Sequence, residues 1–333
     1  MLWTGLLLAA AGYALAQEPP QVLVYSRTVG YRHASIPAAQ EAIRNIATNT
    51  SLFTPSFSEA GTFTDDDLAP YKAIVFLSNS DQVLDDAGEA ALKQWFTTGG
   101  SLIGLHAGTA CLFNDTAFGT AMGSWFDYHP DISNATFLKV IEHETVNMLP
   151  DRYDTYEEVH HFRSDPRDVN CTVLLTFDPD SFSDPQAGTR PYYQGTPPPS
   201  AWLRDGQDYP VDLTNGTAGL SAATMTGRTW FTSLGHEVET WSHPIHLAHV
   251  EAGFRWALEP FNGNSSSATS SSISSGSATA APSSSGGSPT AAAPSSTDSG
   301  ANGAGKSGLA GGSGVLYALG LSSAVAAVFL LVQ

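Results

Sequence analysis

The chain is poor in positive charge and in cysteine. Lys and Arg total 14 against 32 Asp and Glu, a formal net charge of −18 at pH 7. A surface of that sign repels phosphates, so nucleic acid is excluded as a partner. Two cysteines in 333 residues rule out a small disulfide-stapled scaffold and a cysteine-ligated zinc module. No Gly-x-Ser-x-Gly elbow, phosphate-binding loop or dinucleotide fingerprint follows any predicted strand, which removes the commonest nucleophile and nucleotide sites of α/β proteins.

Basic residues are also missing where a membrane protein would carry them. Residues 1–16 hold a short apolar run, Leu6 to Ala11, then Ala14-Leu15-Ala16, the small-x-small pattern of a signal-peptidase site, with no Lys or Arg ahead of it. At the other end, 315–333 is a hydrophobic tail with no basic stop-transfer residue after it. That order, after small residues and a Gly-rich spacer, predicts a glycosylphosphatidylinositol-anchor signal in preference to a transmembrane helix. Between core and tail, 261–314 is a Ser/Thr/Gly/Pro-rich stalk whose only charges are Asp298 and Lys306. It cannot bury a core and is expected to be disordered. Residues 17–260 therefore form the single folded domain. Sequons at Asn49, Asn114, Asn134, Asn170, Asn215 and Asn264 fit a secreted, N-glycosylated, surface-anchored protein in contact with the membrane only through its C-terminal anchor. In that oxidising setting Cys111 and Cys171 can form a disulfide or stay as buried thiols, and their spacing does not choose.

Inside the domain, apolar runs alternate with helical periodicity. Val22 to Tyr25, Ala73 to Ser78 and Ser101 to Leu105 read as buried parallel strands. A second strand lies within 53–63, and Thr64 to Leu68 reads as a capped turn. Ile36, Ala39, Ile43 and Ile46 recur at helical spacing, and a second helix starts at Asp85 or Asp86 and stops before Gly99-Gly100. Thr136 to Glu142, Thr172 to Phe177 and the strand led in by Gly227-Arg228 follow. Pro244 to Leu258 closes the domain as a helix with the stripe Leu247, Val250, Phe254 and Leu258. The pattern predicts an α/β fold, a doubly wound, mostly parallel sheet in a three-layer sandwich.

The candidate chemistry sits where strands end, because side chains at the carboxyl ends of parallel strands converge on one crevice. Gly104-Leu105-His106-Ala107-Gly108 has the frame of a nucleophile elbow with a histidine at its centre. His33, His129 and His236 also fall at strand ends or in adjoining loops. Glu157-Glu158-Val159-His160-His161 sets two carboxylates beside two imidazoles, with Glu158 the member expected in a site. His106 and Glu158 are thus the candidate acid/base pair, with His33 and His236 beside them. His129, Tyr31, Arg32 and Glu157 are candidate substrate contacts. Tyr31, Trp125, Phe126 and Trp230 could offer faces to a sugar ring. A metal reading places zinc on His160 and His161 with His33, His106 or His236, although no regular ligand spacing of a zinc motif occurs. His243, His246 and His249, three residues apart, fit packing and rim positions better than a ligand set.

Several of these pieces together resemble the ThuA-like (trehalose-utilisation) family: Tyr31-Arg32-His33 with Ser35-Ile36, the strand Ile74 to Leu77, Gly99 through His106, His129-Pro130, His143 with Leu149-Pro150, Glu157-Glu158 with Phe162-Arg163, and Gly227-Arg228 through His236. The resemblance spans most of 21–258. It implies a class I glutamine amidotransferase-like fold, flavodoxin-like in its layers, with His106 at the place of the elbow cysteine and hence no glutaminase activity. Glu144 stands where the family usually has Pro after the histidine, and Val159-His160-His161 replaces its common Trp-Tyr-Asn. The family's association with sugar metabolism implies a carbohydrate ligand, a glycoside or oxidised sugar, for a hydrolase, lyase or isomerase. A non-catalytic glycan-binding module and a zinc-dependent hydrolase are the alternatives.

Overall fold

In the computed structural model, residues 18–206, 209–211 and 223–259 are described. The expected leader, stalk and tail, the anchor and the sequons Asn215 and Asn264 lie outside them. Among the described residues no helix is long and apolar enough to cross a membrane.

Short apolar runs become strands and the periodic segments become helices. In chain order these are β1 (Gln21–Tyr25), α1 (Ile36–Thr50), β2 (Thr54–Ser58), α2 (Asp65–Leu68), β3 (Tyr71–Leu77), α3 (Asp86–Phe96), β4 (Ser101–Leu105) and α4 (Thr116–Met122). The second half gives β5 (Phe126–Tyr128), β6 (Ser133–Lys139), β7 (Arg152–Glu157), β8 (His161–Phe162), β9 (Thr172–Phe177), β10 (Ala201–Arg204), β11 (Tyr209–Val211), β12 (Ala223–Met225), β13 (Thr229–Thr232) and α5 (Pro244–Leu258). Local chemistry sets the boundaries. Asp85 caps α3 by accepting from the Gly88 N–H at 2.8 Å. Thr64 and Asp67 form the reciprocal capping box of α2. After α3, Gly99 takes the left-handed turn at φ +81°.

The main sheet has nine strands in the order β2-β1-β3-β4-β13-β10-β9-β6-β7. The first five are mutually parallel, and each later neighbour pairs antiparallel. Only β10 and β6 therefore run against the rest, and β7 points the same way as β4. Alternation along each strand splits the core in two. Val22, Val24, Val75 and Leu105 pack against α1 and α5, while Leu23, Tyr25, Phe76 and Leu102 pack against α3 and α4. Phe53 stacks on Phe254 at 4.6 Å, tying the entry of β2 to α5. This is the α/β, doubly wound arrangement, with β1 as the switch point between β2 and β3.

Two details differ from the pattern read in the sequence, and one choice that it left open is made. The strand expected at 136–142 runs from Ser133 to Lys139, because its pairing with β7 begins at Ser133 opposite Glu157. On α5, Leu247 is only partly buried, and His246 and His249 occupy the inner face with Val250 and Phe254. Cys111 and Cys171 are both free and buried, not bridged. The Cys111 thiol turns to the Gly108 carbonyl at 3.8 Å, while the Cys171 sulfur lies against Gly123.

Candidate functional site

β4 ends at Leu105 and the chain turns at once through a single 3-10 turn, His106 to Thr109. His106 takes φ +52°, a left-handed conformation that costs a non-glycine residue roughly 1 kcal/mol. The flanking glycines make the turn fit. A Cβ on Gly108 would stand 2.3 Å from the Phe76 carbonyl oxygen, and one on Gly104 would stand 2.6 Å from the Phe231 ring. The His106 ring is fully buried, with Nδ1 2.8 Å from the carbonyl oxygen of Ser233 in the segment after β13. A carbonyl only accepts, so Nδ1 carries the hydrogen and Nε2 of the neutral ring is a bare lone pair.

That lone pair faces Glu158, which the end of β7 delivers to the same edge of the sheet. His106 Nε2 lies 3.5 Å from Glu158 Oε2, and His160 Nε2 lies 3.3 Å from the same oxygen. Glu158 Oε1 lies 3.0 Å from His236 Nδ1 and 3.2 Å from His129 Nε2. His33, from the loop after β1, completes the group, with its ring centre 4.6 Å from that of His106 and 5.3 Å from that of His236. Five imidazoles thus surround one carboxylate. Burial would raise the Glu158 carboxyl, but the surrounding imidazoles of His160, His236 and His106 outweigh it and hold the group well below the usual carboxylate range. Burial pushes His33 down to about 4 and His106 well below 6.5, each with further lowering from neighbouring imidazoles. In His236 the burial effect, which lowers, is outweighed by Glu158, and the group is raised.

The cluster is the floor of a cavity of about 510 Å3, within the roughly 300–1,000 Å3 of small-molecule sites. Tyr31, Phe113 and Phe126 line it with aromatic rings, and Asn79, Ser80 and Asp81, from the loop after β3, add polar groups. Tyr31 is 65 % exposed and stands edge-on to His33 at 4.7 Å.

The structure thus brings together His33, His106, His129, His236, Glu158 and Tyr31, and separates other expected members from them. Glu157 points the other way and accepts the N–H groups of Gly235 at 2.8 Å and His236 at 3.0 Å, so it positions the His236 loop instead of meeting a ligand. Burial raises its carboxyl to about 7, against the pull of those N–H groups. Arg32 turns outward to Glu59 at 2.7 Å. His160 and His161 also diverge. His161 lies 3.1 Å from Asp184, stacked on Tyr128, so the pair does not share a metal. Trp230 lies in the core on the α5 side of the sheet, and Trp125 packs on the other core cluster, its Nε1 donating to the Leu112 carbonyl. His249 bonds to Thr145 and Thr232 and His243 precedes α5, so the three histidines of that segment are no ligand set. Cys111 is buried beneath the turn, and among the described residues no cysteine lines the cavity. The sequence reading missed Asn79, Ser80, Asp81 and Phe113. Their signal was the abrupt change from the apolar β3 run to Ser78-Asn79-Ser80-Asp81.

An α/β sheet with a His/Glu-floored crevice at its switch point is the class that fold and site define. The family model described as ThuA, trehalose utilisation, matches residues 21–257, and the chain belongs to that family. Among solved structures, a ThuA-like protein from Bacteroides uniformis superposes with a TM-score of 0.53 at 17 % identity, covering 76 % of this chain and 98 % of that one. Another from Parabacteroides merdae gives 0.48 at 13 %, covering 72 % and 90 %. The first of these establishes the shared glutamine amidotransferase-like fold. No curated protein sequence matches the chain.

Proposed function

We propose that the domain binds a carbohydrate in this crevice and acts on it there. The observation that carries the reading is the mixed lining of the cavity, in which the aromatic Tyr31, Phe113 and Phe126 and the polar Asn79, Ser80 and Asp81 share one space with the Glu158 cluster. A sugar ring has the matching form, an apolar face for stacking and a rim of hydroxyls for hydrogen bonds. The family's description, trehalose utilisation, supports the same ligand class. The geometry narrows the roles first assigned. His106 and Glu158 touch, but one is held neutral and the other ionised far from neutral pH, a poor match to a general acid/base pair. Glu158 serves better as a fixed acceptor that orients or polarises a bound group, with His106 buried against it.

The test is a panel of oligosaccharides and oxidised glycosides, followed by calorimetry for binding and mass spectrometry for turnover, on wild type and Phe126→Ala. Conversion that Phe126→Ala weakens supports the reading. Binding without conversion sinks the enzyme and leaves a glycan-binding module, and no response across the panel overturns both.

We further propose that the protein is secreted and anchored at the outer surface. The sequon residues Asn49, Asn114, Asn134 and Asn170 are all exposed, as an attached glycan requires. Release from intact cells by a phosphatidylinositol-specific phospholipase is expected. Resistance, with the C-terminal tail still present, would instead assign 315–333 to a spanning helix.

A further inference from the structure

Two ring nitrogens in the crevice stand at close range to a carboxylate without making a hydrogen bond to it. His106 Nε2 is buried and has no hydrogen-bond partner among the described residues, and the same holds for His236 Nδ1. Yet they lie 3.5 Å and 3.0 Å from the Glu158 oxygens. For His106 the tautomer makes the point sharper. Its hydrogen is committed to the Ser233 carbonyl, so the atom turned toward Glu158 is a lone pair facing an anion. Lone pair against carboxylate at this distance is repulsive unless a positive centre lies between them. His33 Nδ1 is likewise buried without a partner. One ligand atom each from His33, His106, Glu158 and His236 all fall within 4.8 Å of one another.

We propose that His33, His106, His236 and Glu158 hold one divalent transition-metal cation, zinc by the chemistry of its donors, at the floor of the crevice. Three imidazoles and a carboxylate are borderline donors suited to Zn2+. Ligands about 2.0–2.1 Å from a tetrahedral zinc stand about 3.3–3.4 Å apart, between the 3.0 Å of His236 Nδ1 from Glu158 Oε1 and the 3.5 Å of His106 Nε2 from Glu158 Oε2. The surroundings are those of a metal site. A ligating histidine normally donates its other ring N–H to a carbonyl or carboxylate, which fixes tautomer and orientation, and Ser233 does this for His106. Glu157 supports the His236 loop through two backbone N–H groups. His160 bonds to Glu158 Oε2 from the side. A bound cation would lend the crevice a centre able to polarise a ligand oxygen. The site stands on this geometry alone, independently of the carbohydrate reading.

The experiment uses the full chain, purified without chelator, with metal content measured by plasma mass spectrometry. The protein is then stripped and titrated with Co2+, whose visible bands report low-symmetry nitrogen and oxygen coordination, and with Zn2+ in competition. One equivalent per chain is expected, displaced by Zn2+, with a rise in melting temperature on binding. Glu158→Gln and His236→Gln should each weaken uptake by about 100-fold or more. His236, at the rim of the core, is the variant to rely on if Glu158→Gln fails to fold, and circular dichroism checks both. Asp184→Asn, which touches His161 outside the cluster, should bind metal as wild type does. A folded wild type showing neither cobalt bands nor a thermal shift, or variants that bind as tightly as wild type, would overturn the site in favour of a proton-linked imidazole–carboxylate network. Glycan binding by stripped protein that takes up no metal also overturns it and leaves the carbohydrate reading standing. Metal uptake with no response to any glycan does the reverse.

Discussion

Glu157 and Glu158 are consecutive, yet they face opposite ways. Glu157 accepts the backbone N–H groups of Gly235 and His236, while Glu158 turns into the crevice among the imidazoles. Removing each should therefore have a different consequence. Glu157→Ala leaves two buried N–H groups without an acceptor, at about 1–3 kcal/mol for each, and chemical denaturation should show that loss. Glu158→Gln should keep its far-ultraviolet spectrum and lose ligand affinity by tenfold or more. Equal stability losses with equal affinity losses would contradict the division of labour.

Tyr31 and Arg32 make a second contrasting pair. Tyr31 lines the cavity and is largely exposed, so Tyr31→Ala should leave stability within about 0.5 kcal/mol of wild type and weaken a stacked ligand about three- to tenfold. Arg32 is spent on an exposed pair with Glu59, and Arg32→Ala should change neither quantity measurably. Calorimetric titration of both variants decides it.

Acid should unfold the domain through the buried histidines of α5. Burial lowers His246 to about 3 and His249 to about 4 from an ordinary 6.5. The folded state thus keeps both neutral while the unfolded chain takes up protons below pH 6.5. Their stabilisation is complete above pH 6.5 and is lost as pH falls toward 4 and then 3, on the order of 3 kcal/mol for His249 and 5 kcal/mol for His246. Urea midpoints at pH 7.5 and pH 5 should differ accordingly. Neither ring nitrogen of His246 has a hydrogen-bond partner among the described residues, so His246→Leu should be neutral or stabilising at pH 7.5 and should shrink the acid loss. An unchanged pH dependence in that variant would refute the assignment.

The two cysteines should behave as inert thiols. Burial raises Cys111 well above its usual range and Cys171 to about 11, and neither the thiolate nor access is available to a reagent. Thiol titration of native protein should detect neither group, and denatured protein should give two. A non-reducible mass with two free thiols only after unfolding is the expected result, whereas no thiols in denaturant would restore a Cys111–Cys171 bridge.

Much of this was legible in residue order. The apolar runs at β1, β3 and β4, the capping of α2 and α3 and the His106 turn all follow from local rules of spacing, capping and turn geometry, and the structure keeps them. Membership of the crevice was legible for His33, His129, His236, Glu158 and Tyr31, with His106 buried against Glu158, because strand ends of a parallel sheet converge. β7 was hidden. Arg152 to Glu157 alternates exposed and partly buried residues on an edge strand, too polar to register as sheet.

By itself, then, the sequence determined the α/β class, the strand that presents His106 and the cast of polar residues available to a site. Only the tertiary structure decided which of them meet. Glu157 and Glu158, and His160 and His161, turn to opposite sides, and no composition reveals which member of each pair faces inward until β7 is set against β6 and β8 against β5. The tautomer of His106 was decided in the same way, by a carbonyl 127 residues away in the chain, since a hydrogen-bond partner so distant is supplied by packing and never by local order.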